Sequence, residues 1–201
     1  SERVSMETNE SILTRSIVGL DERKVLGKMS SLRVDYDTQA VSHYIVMNAS
    51  TNNAIALPFE NAIAVGDTFI TVQSYGSFVD ANSPASKELV SDANKLVGVE
   101  VYSRTGNTLG TVAAFDFDPI FGAIKSITLD NGSEFKSDVF LFFAPDFVFV
   151  DDGSSDATYQ VIQDQIEAYE KRTESAQKED GRRLAFQVVG FSRNFGKEAA
   201  M

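Results

Sequence analysis

Few residues in this chain could carry covalent chemistry. Among 201 residues there is no cysteine, no tryptophan and a single histidine, His43. Without thiols, disulfides, thiolate metal sites and cysteine nucleophiles fall away together. Any Ser-His-Asp unit would have to be built on His43. That residue sits in Val41–Met47, a β-branched and aromatic run that reads as a strand. Alternation puts Tyr44 and Val46 on one face and His43 with Ile45 on the other. A lone histidine on the less apolar face of a strand reads as a surface or interface residue. No nucleophile–base pair and no cofactor fingerprint emerges, although lysine- or carboxylate-based chemistry stays formally open.

The acidic strand ends are the next candidates. Asp116 and Asp118 share a strand face, as do Arg33, Asp35 and Asp37 earlier in the chain. Paired carboxylates suit a hard cation. Yet Asp116-Phe117-Asp118-Pro119-Ile120-Phe121 lacks the glycine and the later glutamate of a calcium loop. Aspartates beside proline commonly form turns, so Asp116 and Asp118 are weak metal candidates, and the metal and cofactor expectation is none. Gly98, Gly106 and Gly110 sit around a hairpin, not ahead of a helix, and so form no phosphate cradle.

Phenylalanine is the more telling residue type. Nine of the 15 fall between Phe115 and Phe149. Phe140, Phe142 and Phe143 nearly adjoin, and alternation along a strand must send at least one outward. Exposed apolar clusters mark interaction surfaces. Phe140, Phe142 and Phe143 are therefore candidates for protein contact; the alternative is that the rings fill an internal seam or lie under a helix. A second apolar stripe follows at Tyr159, Ile162, Ile166 and Tyr169, spaced three, four and three along a helix expected over 156–178. It has the same two options, packing on the body or on a second copy of the chain, so a homodimer is one arrangement that would cover it.

The elements that must position these residues repeat. Leu26-Gly27 through Val46 returns 83 positions later as Leu109-Gly110 through Leu129, twenty-one positions without a gap. Asp35 meets Asp118, Ala40 meets Ala123, and apolar positions meet apolar positions. Self-similarity at a fixed period means one structural unit used twice. The boundaries expected are a flexible lead over 1–15, a unit over 16–75, a linker over 76–94, a second unit over 95–151, and a helix with tail over 152–201. Pro84 to Val90 is expected to form a short helical turn within the linker. The apolar segment from Leu184 to Phe191 could add a strand or dock.

Charge divides the chain unevenly. Up to Glu170 there are 11 basic and 25 acidic residues; from Lys171 to Met201 there are 7 and 4. An acidic body repels phosphate backbones, so direct nucleic-acid binding by the body is disfavoured. The basic tail reads as lying on its own acidic body in preference to an outside polyanion. No apolar run approaches the roughly 20 residues a transmembrane helix needs, and the polar, acidic start is unlike a signal peptide. A cytoplasmic location is expected.

Leu96-Val97-Gly98-Val99-Glu100-Val101-Tyr102-Ser103-Arg104-Thr105-Gly106-Asn107-Thr108-Leu109-Gly110-Thr111-Val112, continued by Asp116-Phe117-Asp118-Pro119, resembles the PRC-barrel domain. The first unit is similar, with Asp21-Glu22-Arg23-Lys24 in place of the Val-Tyr…Gly-Asn hairpin. Known members are the cytoplasmic part of the photosynthetic reaction-centre H subunit and the C-terminal domain of a ribosome-maturation factor. The resemblance implies small β-barrels used as docking modules, with no class-wide catalytic residues to transfer. The expectation is an all-β protein of two tandem PRC-type barrels, a C-terminal helix and a basic tail. Its expected role is a non-enzymatic adaptor or scaffold for a protein partner. The alternatives are a ligand- or cation-responsive module and, by family analogy, a ribosome-assembly factor.

Overall fold

Among the described residues of the body, hydrophobic alternation and turn residues give thirteen strands and one short α-helix. In order these are β1 (Glu7–Thr8), β2 (Ser16–Gly19), β3 (Lys24–Asp35), β4 (Ala40–Asn48), β5 (Ala54–Pro58), β6 (Ala64–Val65) and β7 (Phe69–Val72). Then come α1 (Pro84–Val90), β8 (Glu100–Ser103), β9 (Thr108–Phe117), β10 (Ile124–Leu129), β11 (Glu134–Lys136), β12 (Phe140–Phe143) and β13 (Phe147–Val150). A long helix, α2 (Ala157–Asp180), follows. The structure, a computed structural model, describes residues 6–91, 93–153 and 157–180, with the side chains of 164–176 in the last segment. The chain divides into two units, Ser1–Val150 and Asp151–Met201, and both sheets belong to the first. Gly181, the Leu184–Phe191 segment and the basic tail beyond Asp180 lie outside the described residues. None of the described helices is long and apolar enough to cross a membrane.

The protein is mostly β, in two sheets of matching order. The first runs β5-β4-β3-β2-β7-β6 and the second β11-β10-β9-β8-β13-β12. The match extends to individual pairs. Leu32 lies opposite Tyr44, and 83 positions on Phe115 lies opposite Ile127. Ile17 faces Gly27 as Val101 faces Gly110. The bulges recur too: register slips after the Arg33–His43 pair and again after Asp116–Ser126. Each bulge bends its long strand near its end, within the pairing to the same neighbour. A side chain at Gly27 would place its Cβ 2.3 Å from the Met47 carbonyl, so the strand crossing there requires glycine.

The two repeats face each other across an approximate two-fold axis. Ala40 pairs with its own counterpart, Ala123, in an antiparallel bridge. The Val41 amide donates to the Gly122 carbonyl at 2.8 Å, and the Ile124 amide to the Gln39 carbonyl at 3.0 Å. Each bond is the other one moved by 83 positions, which is the self-complementarity of a symmetric dimer written into one chain. Both acceptor residues are left-handed, Gln39 at φ 55° and Gly122 at φ 81°.

The leading arms are exchanged. Glu7 and Thr8 of β1 pair with Phe117 and Asp116 in the second repeat's sheet. The Asn9 amide donates to the Phe115 carbonyl, and the Asn9 Oδ1 accepts from the Phe115 amide at 2.9 Å. Conversely Asn94, which leads into the second repeat, accepts from the Val34 amide of the first at 2.9 Å. Ile12 and its counterpart Leu96 are buried, at 0% and 2% exposure. The segment expected as a flexible lead is thus built into the sheet from Glu7 onward, because β9 has open hydrogen-bonding groups along half its length. A single apolar core draws on both repeats, from Leu32, Val34 and Tyr44 to Phe115, Phe117 and Ile127.

The linker is equally tied down. Ser83 caps α1 by accepting from the Ser86 amide, and Pro84 opens the helix. Buried Arg33 closes its far end, donating to the Leu89 and Ser91 carbonyls at 2.7 and 2.8 Å. The helix packs on β5, where the Val79 amide reaches the Ala56 carbonyl. Ile45 and Ala56 are buried there, outside the main core, so alternation alone misjudges the exposure of that sheet face.

Replacing Asn9 by Ala removes one acceptor from a half-buried amide and should cost about 1 kcal/mol. Faster amide hydrogen exchange at Phe115, 106 positions away in the chain, is the expected sign of arm exchange. Unchanged protection there would contradict it.

Candidate functional site

The outer face of the second sheet carries a continuous ladder of aromatic rings. Parallel pairing of β8 with β13 sets Tyr102 beside Phe149, and antiparallel pairing of β13 with β12 sets Phe149 beside Phe142. Their rings stack in sequence: Tyr102 on Phe149 at 5.5 Å and 26°, Phe149 on Phe142 at 5.0 Å and 17°. Phe147 meets all three edge-on at 5.6–6.5 Å. Such pairs add about 0.5–1.5 kcal/mol each beyond their buried area. Tyr102, Phe142 and Phe149 are half-buried; Phe147 is 38% exposed, and Leu141, thrown out by a bulge in β12, is 37% exposed. At the rim the Tyr102 hydroxyl donates to the Glu100 carboxylate, and that bond raises the phenol's pKa.

Symmetry shows that the scaffold does not need this ladder. In the first sheet the positions of Tyr102, Phe149 and Phe142 are held by Val18, Thr71 and Ala64. Only Phe147 has an aromatic counterpart, Phe69. The same strand order therefore forms without the stacked rings.

The three phenylalanines singled out by the sequence part company. Phe142 joins the outer ladder. Phe143 is 5% exposed and belongs to the core, with Phe140 half-buried against it at 5.0 Å. Tyr102, Phe147 and Phe149 were missed as partners of Phe142; their period-two spacing carried the signal, but strand order was needed to read it. On α2, Ile166 is half-buried and Tyr169 is 52% exposed. The side chains of Tyr159 and Ile162 lie outside the described residues.

The acidic candidates are engaged in local structure. Asp116 Oδ1 accepts from the Ser126 hydroxyl at 2.7 Å. Asp118 Oδ1 accepts from the Ile120 and Phe121 amides, as Asp35 Oδ1 does from Asp37 and Thr38. These are matched turn-forming aspartates in both repeats. Among the described residues no group of three or more His, Asp or Glu side chains converges as a metal site would require. One cavity between the repeats, lined by Leu13, Leu32, Leu96 and Phe115 among others, is about 240 Å³. That is below the roughly 300–1,000 Å³ typical of small-molecule pockets.

Sequence reasoning did not anticipate Arg15. Nearly buried, it donates to Glu7 at 2.5 Å, to the Gly66 carbonyl at 2.9 Å and to the Ser11 carbonyl at 2.6 Å. Beside it the Tyr44 hydroxyl is fully buried with no hydrogen-bond partner, and burial raises its pKa well above the usual tyrosine value, with Glu7 adding and Arg15 opposing. His43 is half-buried, its Nδ1 2.9 Å from the Ser42 hydroxyl.

No protein-family model matches the chain, and no curated protein does.

Burial lowers the His43 pKa below its ordinary 6.5, with Glu60 opposing. The unfolded chain therefore takes up this proton more readily. Stability from the neutral ring is fully present above pH 6.5 and declines as pH falls towards the lower folded value. Urea titrations from pH 7.5 down to 5.5 should show this loss in the native protein and a smaller one in His43→Gln. Identical slopes would mean the ring is not desolvated on folding.

Proposed function

We propose that this chain is a non-enzymatic adaptor that docks a protein partner on the aromatic face of its second repeat. One observation carries the reading. The Tyr102–Phe149–Phe142 stack is present on only one of two otherwise matching sheets. Rigid aromatic side chains give large contact area at low entropic cost, and they are enriched where partners bind. Around the ladder Leu141 and Phe147 add exposed apolar surface, and Glu100 offers a polar rim.

The finer architecture belongs to the same proposal: each sheet is a PRC-type barrel, and the pair is a tandem. The repeated strand order and the matched aspartate turns support it. A cytoplasmic setting is the environment this reading assumes.

A photo-crosslinking residue placed at Leu141 should capture a protein partner in the native cell. The double variant Tyr102→Ser with Phe142→Ser should lose that crosslink; it removes four ring pairs, a cost of about 2–6 kcal/mol, so its fold is checked by circular dichroism. Capture of the same protein by the folded double variant would defeat the proposal. Crosslinks solely to other copies of the chain would replace an adaptor with a homo-oligomer.

A further inference from the structure

A second exposed apolar feature lies away from the aromatic face, where the two repeats meet. A groove of about 680 Å³ runs between Phe59–Val65 of the first repeat and the Pro119-Ile120-Phe121 tip of the second. Its apolar side chains are unusually open: Ile63 is 55% exposed, Ile120 58% and Phe121 78%. Isolated exposed apolar residues are ordinary, but three on facing walls of one groove form a patch.

The tip is held ready. Asp118 Oδ1 accepts from the Ile120 and Phe121 amides at 2.8 and 3.3 Å, and the Gly122 amide closes the turn on the Asp118 carbonyl at 2.7 Å. Left-handed Gly122 sits so close to the first repeat that a Cβ would lie 3.1 Å from the Val41 carbonyl and 3.2 Å from the Phe59 ring. The turn is thereby pinned across the junction. The first repeat has Tyr36-Asp37-Thr38 at the matching positions, and its Tyr36 hydroxyl folds back onto the Lys95 carbonyl. Exposed Ile120 and Phe121 are thus not demanded by the turn itself. A surface ordered before binding loses little entropy on docking.

Charge indicates what the groove would accept. Glu7, Glu60 and Asp67 line it, and among the described residues no lysine or arginine does. Glu7 is neutralised by Arg15, whereas Glu60 and Asp67 are exposed and, among the described residues, in no ion pair. A wall of apolar groups with an acidic rim repels phosphate-bearing surfaces and attracts cations on an apolar backing.

We propose that this groove docks a peptide segment of a partner protein in which lysine or arginine flanks a bulky apolar residue. The apolar side chain packs against Ile63, Ile120 and Phe121, and the cation meets Glu60 and Asp67. This site does not rest on the aromatic face.

The test is a selection of short random peptides displayed on phage against the full chain, followed by fluorescence anisotropy with the enriched sequence. The enriched peptides should carry Lys or Arg beside Leu, Ile or Phe, and bind more weakly as salt rises. Phe121→Ser, and separately Glu60→Lys with Asp67→Lys, should each weaken binding about tenfold or more, as loss of an anchor does. Tyr102→Ser with Phe142→Ser should bind the peptide unchanged, which separates this site from the aromatic face. Circular dichroism confirms that each variant is folded. The proposal is overturned by no enrichment, by a consensus lacking a basic residue, or by folded groove variants that bind normally. It is overturned equally if phosphatidylserine vesicles are bound through Phe121 and no peptide is.

Discussion

Two backbone hydrogen bonds between the repeats, Val41 to Gly122 and Ile124 to Gln39, set the geometry of the body. Each joins the end of one β-turn to the start of a strand in the other repeat. Buried amides must find acceptors, and here each repeat supplies what its twin lacks. That requirement forces left-handed backbone at both Gln39 and Gly122, the turn following each matched aspartate. It also brings the long strands β3 and β9 close enough for the arms to exchange. Asn9 then serves the second sheet and Asn94 the first.

An exchange of this kind makes the repeats interdependent. Short repeats of this size bury limited core by themselves. Sharing a core and trading edge pairings lets each shield the open strand of the other. Arg15 and Arg33 complete the arrangement from opposite ends. One ties β1 to the turn before β7, and the other ties the linker helix to β3. Both are buried cations: Arg15 pairs with Glu7 and donates to the Ser11 and Gly66 carbonyls, and Arg33 donates to the Leu32, Leu89 and Ser91 carbonyls and the Ser31 hydroxyl. That is the condition under which such a charge is tolerated inside a protein.

Symmetry also separates scaffold from surface. Features present in both repeats, such as the bulges and the aspartate turns, are explained by folding. Features present in one need another explanation. The aromatic ladder is one such feature, and the Ile120-Phe121 tip is the other. They lie on different elements of the second repeat. The ladder is a flat stacked face on β8, β13 and β12; the tip is one wall of an acid-rimmed groove completed by the first repeat. Both surfaces belong to the unit Ser1–Val150.

Local signals were read from the chain directly. The period of 83, the strand over Val41–Met47, the linker turn Pro84–Val90 and the turn role of Asp118 all depend on neighbours close in sequence. Alternation, proline and glycine positions and Asx chemistry act over a few residues, so they leave a one-dimensional trace. The sorting of Phe140, Phe142 and Phe143 into core and surface left no such trace. It was decided by a bulge in β12 and by which strand lies beside which. The same holds for Glu7–Thr8: nothing local marks them as a strand, because their partners, Phe117 and Asp116, lie far along the chain in the other repeat. That one β unit is used twice, and where its turns fall, is legible in the linear chain. The tertiary structure alone decided how the repeats clasp and which rings face outward, because strand pairing and arm exchange are contacts between residues far apart in the chain.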